Sequence, residues 1–404
     1  MIPGRFPDRC LVVLIVGWLS AAASLAHAID LDVFDQRFQQ LLTEDGVPGG
    51  AYAVINGADI VRAAGHGRRS GLSQQPVTPE TVFRLASVSK TFAAQLTALL
   101  VDEGWLSWDE PIVRHVPDFT LADPGHASDI RLHHLLGQSG GIVPNAYDNL
   151  LNASQSMDRI LPQFASVKSM CRPGQCYTYQ NVLFSLIEPA IETTTGSGYE
   201  QLLAERLFVP LGMAQASSGL AGYQAADNRA LPHVRSSRRL PWVPTQVNAN
   251  YYQVAPAAGI NASVLDLGRW LSAQMGHAPD VLRPDLIRQL TEPRVRTVRD
   301  LRRRGWRDLL SDAHYGLGWR VYQVGDETIY LHSGWVRGFV ADIAYSQERQ
   351  IGLAVLLNAE SSVLNEITTT FWREVLSEPL PVTAGEHILD MSPEAELVPA
   401  LGGD

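Results

Sequence analysis

The 404-residue sequence has only three cysteines and no arrangement of histidine and cysteine typical of a zinc site. Cys10 lies in the apolar N-terminal segment, so Cys171 and Cys176 are the cysteines of the remaining chain. His133 and His134 are adjacent and cannot share one helix face, and the sequence H-E-x-x-H does not occur. These absences argue against zinc chemistry, and we expect neither a metal nor a cofactor.

Positive charge is also scarce, with 32 Lys and Arg against 42 Asp and Glu, a formal net charge of -10. An acidic protein binds nucleic acid poorly, so we expect no nucleic-acid partner. The sequence is 46% hydrophobic and 18% charged, which is not the composition of a disordered chain. It allows one or two substantial hydrophobic cores.

No apolar run at the N-terminus reaches the ~20 residues of a membrane-spanning helix. The run at residues 11–19 follows Arg5 and Arg9, and small residues then lead to Ala-His-Ala at 26–28. This order is typical of a secretory signal peptide, so we expect residues 1–28 to be removed. Removal would leave a periplasmic or secreted protein without a stable membrane anchor, and an uncleaved anchor is the alternative.

Export has a consequence for the two remaining cysteines. In an oxidising compartment Cys171 and Cys176 would normally pair. Closing so short a loop contributes roughly 2 kcal/mol on the chain-entropy model, so this disulfide would fix local geometry more than global stability.

Strand-like segments lie at both ends of the chain, and helix-like segments lie between them. Asn56-Gly57 separates two short β-type runs, which is a strong hairpin signal, and three more such runs follow residue 327. We therefore predict an α/β (α+β) fold in which an antiparallel sheet, completed by both ends of the chain and flanked by helices, carries an inserted all-helical domain. The predicted parts are sheet at about 29–90 and 315–376, helices at about 91–314, and an acidic, Pro-rich tail at 377–404.

Ser87 and Lys90 begin a helix-like segment, three residues apart. Capping by Ser87 or Ser89 would explain the serines but not the lysine, because a cation in the first turn opposes the helix dipole. The dipole and partial burial favour a neutral amine, which suits a general base. One turn brings Lys90 within reach of the Ser87 hydroxyl, and the Ser87 N–H could stabilise an oxyanion. A helix cap followed by a solvated lysine is the alternative.

Two further motifs carry chemically useful groups. Tyr179 and Asn181 are two residues apart, so on an extended segment a proton-shuttling phenol and a carbonyl-binding amide face one side. Ordinary turn chemistry is the other interpretation of this pair. His332, Ser333 and Gly334 end a strand-like run, where glycine lets a ligand lie against the backbone.

Together, S-x-x-K, Y-x-N and H-S-G in this order resemble the serine β-lactamase and penicillin-binding protein superfamily, specifically its class C-like branch. The segments YGLGW, VPLGM and APAAGINASVLDLGRWL are similar to that family too, and the likeness covers roughly residues 31–376. The resemblance implies a sheet beside a helical domain, with the site in the cleft. The implied roles are an acylated nucleophile at Ser87, a proton-transfer pair of Lys90 and Tyr179, a substrate-amide contact at Asn181, an opposite wall of His332, Ser333 and Gly334, and an oxyanion hole of the Ser87 and Trp335 N–H groups.

The resemblance implies an exported serine hydrolase that forms an acyl-enzyme at Ser87 and acts on β-lactams or related D-amino-acid amides. A D-alanyl-D-alanine carboxypeptidase, a D-aminopeptidase or an esterase on the same site is the nearest alternative. A catalytically silent relative that binds peptidoglycan fragments belongs to another class. A class A enzyme would need S-D-N as its second element, and S-D-N is absent.

His332 stands where many β-lactamases of this branch carry lysine, and histidine there is similar to certain D-alanyl-D-alanine carboxypeptidases and D-aminopeptidases. An unperturbed imidazole titrates near pH 6.5. We therefore expect turnover of carboxylate-bearing substrates to decline above neutrality. Arg337 is a second candidate for the same carboxylate, with an ordinary surface arginine as the alternative.

A rival nucleophile is Ser139, because residues 137–141 satisfy G-x-S-x-G. That motif has catalytic meaning only between a buried strand and a helix. Here a helix-like segment precedes it, and Pro144 soon follows, which disfavours a helix starting there.

A cluster of arginines stands out in this acidic chain. Its members are Arg294, Arg296, Arg299, Arg302, Arg303, Arg304 and Arg307. We expect a solvated loop or helix face, and an anion-binding surface is the alternative.

Overall fold

The computed structural model describes residues 29–380. The predicted signal peptide and residues 381–404 of the predicted tail lie outside the described residues. Within residues 29–380, no helix is both long enough and apolar enough to span a bilayer.

Thirteen strands occur in the described residues. In chain order they are β1 (Gly49–Asn56), β2 (Asp59–Gly67), β3 (Phe83–Arg84), β4 (Ser217–Ser218), β5 (His233–Val234), β6 (Val243–Pro244), β7 (Ile260–Ala262), β8 (Val295–Arg296), β9 (Asp312–Tyr315), β10 (Arg320–Val324), β11 (Glu327–Val336), β12 (Phe339–Ser346) and β13 (Ile351–Leu357). Eight of them form one sheet in the order β2-β1-β13-β12-β11-β10-β9-β8, in which all neighbours are antiparallel. The predicted antiparallel sheet built from both ends of the chain is confirmed.

Helices cover both faces of this sheet. They are α1 (Leu31–Asp45), α2 (Ser89–Asp102), α3 (His126–Asp129), α4 (Leu132–Leu136), α5 (Asp148–Asn152), α6 (Met157–Ile160), α7 (Ile187–Thr195), α8 (Tyr199–Leu203), α9 (Gly219–Ala225), α10 (Ala255–Ala258), α11 (Val264–Ser272), α12 (Pro284–Thr291) and α13 (Val363–Ser377). Short 3₁₀ or π turns are Ala86–Val88, Ile112–Arg114, Leu161–Ser166, Phe184–Leu186, Ala204–Phe208, Asn250–Val254, Ala273–His277 and Asp300–Arg302.

Local sequence explains the first elements. The Asp30 side chain caps α1 by accepting hydrogen bonds from the N–H groups of Asp32 and Val33, which have no partner inside the helix. Asn56 pairs with Asp59 across the turn between β1 and β2, where Gly57 has a φ of 58°. Glycine adopts that left-handed conformation at little cost, so the predicted Asn-Gly hairpin is confirmed.

The sheet separates two hydrophobic cores because successive side chains of a strand point to opposite faces. On β1, Ala53 and Ile55 face a core shared with α2 and α11. Tyr52 and Val54 face a second core, which α1 and α13 cover. The candidate site lies on the α2 side.

The segment predicted to be all-helical also contributes strands β4 to β7, which form two small sheets of order β3-β7-β4 and β5-β6. The large sheet resumes at Val295 rather than near residue 315, because β8 and β9 add to its edge. Strands of two to four residues are too short to show an alternating pattern, which explains the difference from the prediction.

One edge of β11 is left open toward the helical side. The last β10 partner along this strand is Leu331, which pairs with Arg320, whereas β12 continues to pair as far as Val336. The stretch from His332 to Val336 therefore has no β10 neighbour, and the turn Ala86–Val88 packs beside it. The S-x-x-K and H-S-G motifs meet at this opening.

Candidate active site

Ser87 lies in a tight turn at the start of α2. The preceding Ala86 has a φ of 50°, a left-handed conformation that costs a non-glycine residue roughly 1–2 kcal/mol. Ser87 remains half-buried, whereas Leu85, Ala86 and Val88 are fully buried. A Cβ atom at Gly334 would lie 2.1 Å from the Leu85 carbonyl oxygen, so only glycine lets β11 approach this turn. The packing therefore holds the serine hydroxyl at the opening.

Lys90 is fully buried one turn after Ser87. Its Nζ lies 3.4 Å from Ser87 Oγ and donates to Asn181 Oδ1 at 2.7 Å and to the Ala257 carbonyl oxygen at 3.1 Å. Burial lowers the pKa of Lys90 to about 7, because a charged amine is poorly solvated there. The amine can thus lose its proton near neutral pH beside a serine hydroxyl.

Tyr179 completes this group from the helical side. Lys90 Nζ lies 4.7 Å from the centre of the Tyr179 ring. Burial raises the pKa of the phenol, and a hydrogen bond with the Ser87 side chain opposes that rise. The phenol therefore stays protonated at neutral pH and can relay a proton by donating and accepting hydrogen bonds.

The G-x-S-x-G segment does not form a nucleophile elbow. It follows helix α4, not a strand, and Ser139 is buried. Its neighbour Gln138 supports the Y-x-N segment instead, since its side chain accepts from the Gln180 N–H at 2.6 Å and donates to the Gln180 carbonyl at 3.0 Å. This loop therefore has a structural role beside Tyr179.

Cys171 and Cys176 form the predicted disulfide, with their Cα atoms 6.3 Å apart. The bridge closes a short loop directly before Tyr179. The Met170 N–H donates to the Gly141 carbonyl at 2.7 Å, which joins this loop to the G-x-S-x-G segment. The two loops together hold the backbone that carries Tyr179 and Asn181.

Asn181 lies between the side chains of Lys90 and Asp148. Its Oδ1 accepts from Lys90 Nζ, and its Nδ2 donates to Asp148 Oδ2 at 2.6 Å. Burial raises the pKa of Asp148, and this hydrogen bond and the charge of Lys90 counter the rise. The structure therefore places Asn181 beside Lys90, with both ends of its amide engaged inside the protein.

His332 lies beside this group but cannot act as the titrating cation that we expected. It is buried, with Nε2 at 3.0 Å from the Tyr315 hydroxyl and Nδ1 at 3.0 Å from the Ser333 carbonyl oxygen. Burial lowers its pKa well below the ordinary value, and the charges of Arg320 and Lys90 lower it further. The expectation of titration near pH 6.5 is wrong, because the site desolvates the imidazole and surrounds it with positive charge.

The Ser333 side chain points away from the Ser87 turn. Ser333 Oγ accepts from Arg303 Nη2 at 2.9 Å and donates to Asp342 Oδ1 at 2.9 Å. Along β11, Leu331 belongs to the core on the α1 and α13 side, and Ser333 follows it on that same face. The structure thus places His332 and Gly334 toward Ser87, and the Ser333 hydroxyl behind the strand.

Trp335 and Arg337 lie at the exposed end of β11. The Trp335 indole is 51% exposed, and its Nε1 donates to Glu360 Oε2 at 2.9 Å. Glu360 also accepts from the Gly338 N–H at 2.9 Å, which fixes the turn between β11 and β12. Arg337 is exposed in that turn, and no ion pair involving it occurs within residues 29–380.

The arginine cluster is mostly a solvated surface, as expected. Arg296 pairs with Asp312 at 2.8 Å, and the other members apart from Arg303 are exposed as well. Arg303 differs because it turns inward and contacts Tyr322 and Asn365 in addition to Ser333. It supports β11 from behind.

Sequence reasoning missed Asp148, which belongs to no motif. It named Arg303 only as a member of the arginine cluster and missed the contact of Arg303 with Ser333. One signal for Lys90 was available: of the 32 basic residues only Lys90 and Lys168 are lysines, so a lysine at this position is unusual for the chain.

Within the described part of the chain, His, Cys, Asp and Glu form no group of three that could hold a metal ion.

Known proteins resemble this chain in sequence and fold. Residues 34–377 match the family model described as Beta-lactamase. The fold is similar to that of the octameric penicillin-binding protein homologue from Pyrococcus abyssi, with a TM-score of 0.75 and 24% identity over 87% of this chain and 78% of that one.

Two curated relatives are each 26% identical. Penicillin-binding protein 4 of Amycolatopsis lactamdurans aligns over 85% of this chain and 89% of its own length. Unguisins hydrolase ungD' of Aspergillus campestris aligns over 82% of this chain, which spans 62% of that relative. A third, Protein flp of Staphylococcus aureus strain MW2, is 22% identical, and the chain spans 64% of its length. With the family model covering most of its length, the chain belongs to the Beta-lactamase family.

Proposed function

We propose that this protein is a serine hydrolase that forms an acyl-enzyme at Ser87 and cleaves D-amino-acid amides or esters. The observation that carries the proposal is a buried lysine, with a pKa near 7, 3.4 Å from a half-buried serine hydroxyl at an open strand edge. A lysine serving only as a helix-terminal cation would be solvated and would keep an ordinary pKa.

In the proposed acylation, neutral Lys90 takes the Ser87 proton while Oγ forms a bond to the substrate carbonyl carbon. The N–H groups of Ser87 and Trp335 stabilise the resulting oxyanion. The lysine proton then passes through the Tyr179 hydroxyl to the leaving amine or alkoxide as the C–N or C–O bond breaks. In deacylation, a water oxygen bonds to the acyl carbon while a proton passes from the water through Tyr179 and Lys90 to Ser87 Oγ. The bond between the acyl carbon and Oγ breaks, which releases the acid and regenerates Ser87.

The wall formed by β11 bears on substrate choice. A lysine at the position of His332 would offer a permanent cation to a substrate carboxylate, whereas this imidazole is buried and neutral. Arg303 is occupied behind the strand, and Arg337 lies outside in a turn. This arrangement favours amide and ester substrates whose binding does not depend on a carboxylate beside the scissile bond over carboxylate-bearing β-lactams.

The test compares three substrates: a nitrophenyl ester, a D-alanine amide and a labelled penicillin. We expect turnover of the ester and the amide, slower turnover of penicillin, and loss of all three in Ser87→Ala. Ser139→Ala is the matched control and should retain activity, and mass spectrometry should place any acyl adduct on Ser87. Rapid penicillin turnover would instead indicate a β-lactamase, and a lasting penicillin adduct without turnover a penicillin-binding peptidase. No reaction would favour a relative that only binds peptidoglycan fragments.

A further inference from the structure

Asp148 is linked to the proposed catalytic lysine through a single amide side chain. It is the first residue of α5, and its carboxylate accepts from Asn181 Nδ2 at 2.6 Å. Asn181 Oδ1 in turn accepts from Lys90 Nζ at 2.7 Å. A carboxylate only accepts hydrogen bonds, so it must face the NH₂ of Asn181 and thereby turns the amide oxygen toward the lysine.

The backbone before Asp148 is strained, and contacts keep it so. Asn145 and Tyr147 have φ values of 54° and 61°, which lie in the left-handed region. Such a conformation is sterically unfavourable for a side chain as large as tyrosine. The Asn145 N–H donates to the Tyr179 carbonyl at 2.8 Å, and the Tyr147 hydroxyl donates to the Gln163 carbonyl at 2.7 Å. Strain that surrounding contacts maintain is typical of functional segments, and here it delivers a carboxylate to Asn181.

We infer that Asp148 is a positioning residue that sets the charge state of Lys90, by orienting the Asn181 amide and by supplying the negative charge that stabilises the ammonium form. The inference rests on the proposed function only in taking Lys90 as the base for Ser87.

The other groups around Lys90 act in the opposite direction or are neutral. Burial and the charge of Arg320, on β10, lower the pKa of Lys90, and the charge of Asp148 raises it. His332 on β11 has a lowered pKa and Tyr179 a raised one, so both are uncharged at neutral pH. Asp148 is thus the carboxylate that opposes the loss of the lysine proton.

The chain offers a direct test because it contains only two lysines, Lys90 and Lys168. Protein labelled with ¹³Cε-lysine gives two side-chain signals, and the signal of exposed Lys168 serves as an internal reference. Comparing spectra with Lys168→Arg assigns them. We expect Lys90 to titrate near 7 in the wild type and about 0.5 to 1 unit lower in Asp148→Asn.

Asp158→Asn is the matched control, since it removes an exposed carboxylate from the same region. It should leave the Lys90 titration unchanged, and Asp148→Glu, which keeps the charge, should restore it toward the wild-type value. If Asp148→Asn does not fold, Asp148→Ser removes the same charge and is interpreted in the same way. A Lys90 pKa that stays the same or rises when the charge is removed would overturn the inference.

The kinetic counterpart is the acid limb of kcat/KM for the nitrophenyl ester. Because Lys90 must be neutral to accept a proton, a lower pKa moves this limb to lower pH in Asp148→Asn by the same amount as the NMR shift. Hydrolysis that persists in Ser87→Ala would reject the proposed function, yet the NMR titration would still decide the role of Asp148. An NMR shift without a shift of the kinetic limb would show that Asp148 controls the lysine charge but that Lys90 is not the base.

Discussion

The two faces of β11 differ in how they treat charge. On the face toward Ser87, His332 is buried without a carboxylate partner, and both His332 and nearby Lys90 have pKa values lowered by burial. On the opposite face, Arg303 and Asp342 share the Ser333 hydroxyl, so a cation and an anion are held together. Under the proposed function the first is the reactive face of β11. The second, whose paired charges hold the strand in place, is its supporting face.

The largest expected effect is loss of the amine on the reactive face. Lys90→Met should lower kcat/KM for the nitrophenyl ester by about 10²–10⁴-fold, the usual contribution of a positioned general base. Wild-type kcat/KM should rise with pH through about 7, because the lysine must lose its proton to act as the base. Steady-state kinetics measured between pH 5 and 9 check both statements.

Lys168→Met is the matched control, since it removes the other lysine from an exposed site. It should leave rate and pH profile unchanged. If Lys90→Met kept the wild-type rate, the amine would have only a structural role. The assignment of this side of β11 as the reactive face would then be wrong.

On the supporting face, the expected effect is on stability. Arg303→Met leaves the buried Asp342 carboxylate without its nearby cation and removes a hydrogen bond to Ser333. We expect the free energy of unfolding to fall by roughly 2–4 kcal/mol, measured by urea denaturation. Arg304→Met, at an exposed neighbouring site, should change it by less than about 0.5 kcal/mol.

A double substitution tests whether the paired charges explain that loss. Arg303→Met with Asp342→Asn removes the uncompensated charge and should recover part of the stability. No recovery would mean that the arginine acts through packing alone.

The features of the fold and site that depend on local spacing could be predicted from the sequence. Ser87 and Lys90 are one turn apart, and the hairpin at Asn56-Gly57 depends on two adjacent residues. The period-two rule for strands also separates Ser333 from His332 and Gly334, but treating the H-S-G motif as one block hid that separation.

The remaining site residues could not be predicted, because their contacts are long-range and follow no motif. Asp148 meets Asn181 across 33 residues, and Arg303 meets Ser333 across 30. The pKa of His332 depends on burial and on the charges of Arg320 and Lys90 from other elements, so the residue type alone did not predict that it would be lowered. Desolvation is a property of the packed chain and is not encoded by any one position.

The smallest expected effect concerns His332, because its replacement should leave the pH dependence of kcat/KM unchanged. If the imidazole titrated near pH 6.5, the wild type would show a change in kcat/KM between pH 6 and 8 that a non-titrating residue would abolish. Because burial keeps the folded-state pKa of His332 well below its ordinary value, the imidazole is already neutral across that window. His332→Gln can keep a hydrogen bond to the Tyr315 hydroxyl, so it should leave both limbs of the profile at the same pH. A limb that disappears in this variant, measured with a carboxylate-bearing substrate, would show that the reactive face holds a charged imidazole and that its difference from the supporting face is smaller than the geometry indicates.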